Sequence, residues 1–351
     1  MNKRIAVLPG DGIGPEVTAV AVQVLKKIGE VFDHQFTFEE GLVGAIAIDE
    51  TGNPFPDETL QLCQSADAIL FGAIGHPKYD NDPTAPVRPE QGLLAMRKAL
   101  GLYANIRPVN TFKALADASP LKREIVEGVD FVVFRELTGG SYFGKKGRSD
   151  DRLSAYDTCT YTHDEIYRIT KLAFEAAAKR RKKVTLVDKA NVMETSRLWR
   201  EVVQKYAAEH PEIELELMFV DNAAMALIQN PRRFDVILTE NMFGDILTDE
   251  ASVITGSLGM LPSASVGNQV ALYEPIHGSY PQAAGQNIAN PMAAVLSAAT
   301  LLETSFNLMA EGKIIRHAVE EALNFGYVTK DINPDKFMST TEVGQKICDF
   351  I

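Results

Sequence analysis

The stretch Phe234-Asp-Val-Ile-Leu-Thr-Glu-Asn-Met-Phe-Gly-Asp-Ile-Leu-Thr-Asp-Glu250 passes from an apolar run into a helical pattern, and its reading decides the fold. Phe234 to Leu238 has the length and composition of a buried strand, and the residues that follow have helical periodicity. A strand feeding directly into a helix is the unit of an α/β protein. The helix sets Asp245 and Asp249 four residues apart, so both carboxylates lie on one face. From Phe234 to Gly312 there is no Lys and no Arg, while Asp235, Glu240, Glu250 and Glu274 add negative charge. A carboxylate pair beside an apolar strand and without a local cation suits a divalent metal with hard oxygen ligands. The alternative is that Asp245 favours the positive end of the helix and Asp249 is simply solvated.

Outward from this stretch the same rhythm repeats. Arg4–Leu8, Asp67–Ile74, Phe131–Leu137, Val184–Asp188 and Leu215–Val220 read as strands. Pro15–Val31, Gly92–Leu100, Asp164–Arg180 and Ser196–Glu209 read as helices, the first with its proline near the start. This is the βαβ pattern of a largely parallel sheet covered by helices. The polar, Gly-containing stretch Gly139–Tyr161 breaks it and reads as an exposed hairpin or arm. Helical segments beginning at Asn290, Lys313 and Thr340 close the chain. No repeat or linker marks a domain boundary.

The 351 residues suffice for about two domains. A net charge of −12 and the absence of a dominant basic patch argue against a nucleic-acid partner. Ile5–Leu8 is too short an apolar run for a signal peptide. Met292–Leu302, interrupted by Ser297 and Thr300, falls short of the ~20 residues of a membrane span. Cys63, Cys159 and Cys348 form no CxxC pair, so no zinc site or disulfide framework is expected. The cytoplasm is the simplest compartment.

In open α/β sheets ligands bind beyond the carboxyl ends of the strands. Three successive strand ends carry charge: Lys189 after Val184–Asp188, Asp221 after Leu215–Val220, and Asp245 after Phe234–Leu238. A lysine beside metal-bound carboxylates suits a general base. Arg135 sits inside the apolar run Phe131–Leu137, and alternation puts it on the face of Phe131 and Val133. A buried Arg there needs an anion. Arg107 has a similar setting, and Arg97 reads either as a solvated helix residue or as a third carboxylate ligand. Pro9-Gly-Asp-Gly-Ile-Gly-Pro-Glu16 is neither the dinucleotide fingerprint nor a P-loop, so it promises only a tight turn before a helix. His277, in the turn-rich Glu274–Gly285, reads as a nucleotide contact or as a hydrogen-bonded loop residue.

Seven segments together resemble the β-decarboxylating dehydrogenases of the isocitrate/isopropylmalate dehydrogenase family. They are Gly10–Glu16, Arg88–Leu94, Asn105–Pro108, Arg135–Gly140 with Tyr142–Gly144, Asp188–Val192, Asn241–Asp245 and Glu274–Ser279. They extend over essentially the whole chain in order and spacing. The resemblance implies a two-domain isopropylmalate dehydrogenase-like α/β fold, with a mixed sheet running through both domains, and not a Rossmann fold. Residues 1–102 and 256–351 would form the first domain and residues 103–255 the second. It also implies a homodimer in which Lys189 and Asp221 enter the partner's active site and the Gly139–Tyr161 arms pair.

The implied activity is NAD-dependent oxidative decarboxylation of 3-isopropylmalate to 4-methyl-2-oxopentanoate, the leucine precursor. Asp221, Asp245 and Asp249 would hold Mg²⁺ or Mn²⁺, which assists loss of CO₂. Arg97, Arg107 and Arg135 would clamp the substrate carboxylates. Lys189 would take the hydroxyl proton and Tyr142 would help protonate the enol. Glu90, Leu93 and Leu94 would select the side chain, the two leucines fitting an apolar substituent. Homoisocitrate, isocitrate, tartrate and methylmalate remain alternatives, as does a catalytically silent subunit on the same fold. The cofactor would be held by His277, Gly278, Ser279, Gln282, Asn290 and Glu90. NAD-using members commonly carry Asp at the position of Gln282, and NADP-using isocitrate enzymes Lys then Tyr. Gln282-Ala283 lacks a cation for a 2′-phosphate, so NAD is expected over NADP.

Overall fold

The computed structural model describes residues 1–81 and 85–351. Two compact units emerge, Met1–Leu102 with Gly256–Ile351, and Tyr103–Thr255.

The sheet of the first unit runs Gln35–Glu40, Asn2–Gly10, Ala68–Ala73, Ala271–Pro275, Pro262–Val266. The first four strands are parallel and the last pairs antiparallel with its neighbour. Every residue of Ala68–Ala73 is buried, which is why it reads as an unbroken apolar run. Ala6, Leu8, Ile69, Phe71 and Leu272 pack on one face with Phe55, Cys63 and Met96. Helices Gly14–Phe32, Met292–Ser305, Met309–Asn324 and Thr340–Phe350 pack against one another. Met292–Ser305 has ten of its fourteen residues buried, so it is apolar all round because its neighbours cover it. No described helix is long and apolar enough to cross a membrane.

The second unit orders its strands Ala104–Asn110, Asp130–Glu136, Val236–Thr239, Lys183–Asp188, Glu214–Phe219. The first pair is antiparallel and the remainder parallel. Phe134, Val184, Leu186 and Leu238 face helices His163–Ala178 and Glu194–Ala208 through Phe174, Trp199 and Tyr206. Phe131, Val133, Val187 and Ile237 face helices Val220–Gln229 and Asn241–Ser252 through Leu227 and Leu247. Thr162 and Glu165 form a capping box that starts the first of these helices, Glu165 accepting from the Thr162 N–H at 2.7 Å. Lys146–Arg148 and Ala155–Asp157 form an exposed antiparallel hairpin.

Candidate functional site

In the second unit the four parallel strands end along one edge, with Thr239 in register with Arg135 and Val187, and Asp188 with Phe219. Arg135 leaves this edge on the face of Phe131 and Val133 and is only 3% exposed. It meets one turn of helix Asn241–Ser252. Its Nε and Nη2 both donate to Asn241 Oδ1, at 3.0 and 2.8 Å. Its Nη1 pairs with Asp245. A Cβ on Gly244 would stand 2.6 Å from Arg135 Cγ, so the helix approaches the arginine stem more closely than any other residue would allow.

Tyr142 donates to the other oxygen of Asp245 at 2.6 Å, and its ring lies 5.7 Å from the Arg135 guanidinium. Burial and the bond to Asp245 push the phenol up to about 12, so it remains a proton donor across the neutral range. A turn further along the same helix, Arg107 Nη1 donates to Thr248 Oγ1 at 2.7 Å and to Asp249 at 3.3 Å. Arg107 Nε is held by Asn105 at 2.9 Å. The carboxylate pair that has no cation near it in sequence is therefore relieved in the fold, one arginine to each. The sequence has no local cation because the cations come from strands 110 and 142 residues away.

Lys189 and Asp221 make a second group on the same unit. Lys189 Nζ lies 2.8 Å from Asp221, which it holds below the ordinary carboxylate range. The preceding residue, Asp188, is buried and grips Arg200 through two bonds of 2.6 and 3.0 Å, fixing the strand end from which Lys189 departs. Asp221 does not join Asp245 and Asp249. Among the described residues no three His, Cys, Asp or Glu side chains are grouped so that they could hold a metal ion. The donor chemistry on helix Asn241–Ser252 suits a hard cation, but the set is open.

Behind Tyr142 lie two buried acids. Glu136 accepts from the Thr138 and Gly139 N–H groups at 2.8 and 2.7 Å and pairs with Arg168 at 3.2 Å, tying down the turn that delivers Tyr142. Glu240 accepts from the Phe243 N–H at 3.2 Å at the start of the helix. Burial pushes both carboxyls up.

In the first unit the Gly-rich turn has a structural role. Gly10 and Gly12 take left-handed φ of 69° and 60°. Asp11, 5% exposed, accepts from the N–H groups of Ala45 and Gly75 at 2.9 Å and of Ile46 at 3.1 Å. The anion at this turn is thus the loop's own carboxylate. The Ile13 N–H donates to the Ser279 carbonyl at 2.8 Å, and Glu16 accepts from Gly285 and Asn287, which joins the turn to the His277 loop.

The two loops border a cavity of about 550 Å³ lined by Ile13, Ser257, His277, Tyr280, Asn290 and Asp331 among others. His277 Nδ1 faces the Gly278 carbonyl at 3.0 Å, while its buried Nε2 has no partner. Burial lowers its pKa, leaving a neutral ring with an unmet acceptor. Asp331 holds Ser257 at 2.7 Å and Asn290 at 3.1 Å. Of the expected cofactor residues, His277, Gly278 and Asn290 line the cavity, whereas Ser279, Gln282 and Glu90 do not. Asp331 and Tyr280 carry no signal in the sequence that would have singled them out.

Arg97 is not a solvated helix residue. Its guanidinium lies 3.5 Å from Glu274, both side chains about nine-tenths buried, and its Nε has no partner. On the same helix, Pro89–Ala99, Leu93 packs against the core, whereas Leu94 is 37% exposed and Glu90 is exposed.

The model of the isocitrate/isopropylmalate dehydrogenase family matches residues 4–347. A 3-isopropylmalate dehydrogenase of Bacteroides fragilis is 57% identical, covering 100% of this chain and 99% of its own. One from Priestia megaterium is 58% identical over 95% of this chain and 91% of its own. The crystal structure of isocitrate dehydrogenase from Methylococcus capsulatus superposes with a TM-score of 0.89 at 33% identity, covering 99% of both chains. With the family model spanning nearly every residue and relatives matched end to end, the chain belongs to the isocitrate/isopropylmalate dehydrogenase family.

Proposed function

We propose that this protein is a 3-isopropylmalate dehydrogenase that depends on NAD and on Mg²⁺ or Mn²⁺, and that it acts in leucine biosynthesis. The observation that carries the reading is the ladder on helix Asn241–Ser252, where two arginines, two carboxylates and a phenol with a raised pKa converge. The names of the full-length relatives supply the substrate.

Arg107 and Arg135 hold the substrate carboxylates by charge-assisted bonds. The family pattern gives Arg97 the same role. Lys189 takes the proton from the substrate hydroxyl, and NAD⁺, when bound, would serve as acceptor of the hydride lost from the same carbon. The β-carboxylate then departs as CO₂, and Tyr142 delivers a proton to the enol, which gives 4-methyl-2-oxopentanoate. Asp245 and Asp249 would hold the divalent ion, together with Asp221 of a second copy. When bound, that ion supplies Lewis-acid stabilisation of the oxygen that gains charge.

The open carboxylate set motivates the second copy. Helices Val220–Gln229 and Asn241–Ser252 also leave Met225, Ile228 and Ile246 exposed, the last by 61%, with Val253 just beyond. An apolar face of this kind suits burial against its own copy in a homodimer. The cavity beside His277 suits the adenosine part of the cofactor, since a ligand donor would satisfy the unmet Nε2. Leu94, exposed rather than in the core, is free to meet an isopropyl group, a contact that discriminates by only ~1–3 kcal/mol.

The test is a panel of 3-isopropylmalate, isocitrate, homoisocitrate, malate and tartrate, each with NAD⁺ and NADP⁺ and Mg²⁺, followed by absorbance of the reduced nicotinamide. The expected outcome is the highest kcat/KM for 3-isopropylmalate with NAD⁺. Isocitrate as best substrate overturns the apolar selection, preference for NADP⁺ overturns the cofactor reading, and no turnover at all favours a silent subunit.

A further inference from the structure

Asn241 has no role in the proposed chemistry, yet its side-chain oxygen accepts two hydrogen bonds from the Arg135 guanidinium. We propose that Asn241 is a positioning residue that holds Arg135 aimed at the substrate carboxylate, an inference that rests on the role given to Arg135 above. Asn241 Oδ1 bridges Nε and Nη2, the inner edge of the guanidinium. Nη1, on the other side, is the group that meets Asp245. An exchange of Asp245 for a ligand carboxylate therefore leaves the inner edge in place.

The amide is itself fixed. Its Nδ2 donates to the Gly139 carbonyl at 3.2 Å, which sets which end of the side chain is the acceptor. Its backbone N–H donates to the Tyr161 hydroxyl at 2.9 Å, and the residue is 1% exposed. Gly244, one turn along, lets the helix lie against the arginine stem. An arginine with four rotatable bonds is thus pinned at its stem and at one edge, and Nη1, which meets Asp245, is the nitrogen placed to exchange that carboxylate for a ligand's. The neutrality of the acceptor also matters. An aspartate here would reach the same two nitrogens but would cancel the charge that the ligand anion needs.

The experiment uses the full chain with 3-isopropylmalate, NAD⁺ and Mg²⁺, and compares Asn241→Ala, Asn241→Asp, Arg135→Ala and the double variant Asn241→Ala/Arg135→Ala. Substrate affinity is read calorimetrically wherever turnover is lost. Loss of a bond to a charged group corresponds to about a tenfold or greater rise in KM, so Asn241→Ala should raise KM by that amount with a smaller change in kcat. Asn241→Asp, which preserves shape and acceptor, should raise KM as well, and it carries the test if the alanine variant does not fold. In the Arg135→Ala background the Asn241 substitution should add no more than about twofold, because its effect passes through the arginine. An equal rise in KM in both backgrounds, or an unchanged KM for both single Asn241 variants, overturns the proposal. An Arg135→Ala protein with unaltered substrate affinity fails differently: it removes Arg135 from the substrate site and the inference with it.

Discussion

Gly244→Ala tests how closely Arg135 is held, and its effect follows from distances. The added Cβ would lie 2.6 Å from Arg135 Cγ, 2.8 Å from its Cβ and 3.1 Å from its Cδ. Carbon atoms settle at ~3.5–4.0 Å, so the stem must retreat by about 1 Å. Overpacking of this kind costs ~1–3 kcal/mol, while alanine gains ~1 kcal/mol over glycine inside a helix. The net loss of stability is therefore about 0–2 kcal/mol, a fall in Tm of a few degrees at the ~2–4 °C per kcal/mol of a unit this size. The effect on function should be far larger in proportion. A displacement of about 1 Å in a group that positions a reactant costs on the order of 100-fold in rate. Initial rates across a range of 3-isopropylmalate concentrations should show kcat/KM falling by roughly that factor, mostly through KM, while calorimetry shows a still-folded protein. If KM is unchanged and Tm stays level or rises by the helix-propensity gain, the helix has yielded instead of the arginine, and the close approach does not position Arg135.

Three further outcomes follow from the same unit. Tyr142 should titrate at about 12 by ultraviolet absorbance, and Asp245→Asn should lower that value because a neutral amide no longer favours the protonated phenol; identical titrations would detach Tyr142 from Asp245. Glu240 has its folded pKa raised by burial, so its stabilising form is the protonated one, present below the unfolded value and lost as pH rises through the folded pKa. Glu240→Gln should therefore raise Tm near pH ~8 and lose that gain near pH ~4, and a pH-independent difference would contradict the assignment. Ile246→Asp, which charges the exposed apolar face, should shift light-scattering mass from dimer to monomer and abolish turnover with it; an intact dimer would place the interface elsewhere.

The parallel strands were legible because burial on both faces makes them continuous apolar runs, as in Ala68–Ala73 and Val236–Thr239. Gln35–Glu40 went unread because it is a partly exposed edge strand ending in two acids. Pro262–Val266 is built of small residues, and only its pairing with Ala271–Pro275 makes it a strand. Spacing revealed Asp245 and Asp249, and alternation put Arg135 on the face of Phe131 and Val133. Neither could show that these groups meet, since pairing across 110 residues is a property of the sheet register and not of any local pattern. The Arg97–Glu274 pair was invisible for the same reason.

The pairing of two arginines with two carboxylates on one helix bears on how a charged site can exist in a stable fold. A guanidinium 3% exposed would be very costly to leave without an anion, since breaking a buried pair costs ~3–5 kcal/mol. Asp245 and Asp249 meet that need before any ligand arrives. A ligand carboxylate arriving at Arg135 or Arg107 then exchanges one anion for another instead of burying a new charge. The carboxylates are the more exposed members of the pairs, Asp245 at 37% and Asp249 at 78% of their side chains, against 4% for Arg135 and 14% for Arg107. On the function proposed above, the buried half of each pair recognises substrate and the more exposed half accepts a cation. Asn241 holds Arg135 through Nε and Nη2, away from the nitrogen that meets Asp245, whereas Thr248 and Asp249 share Nη1 of Arg107.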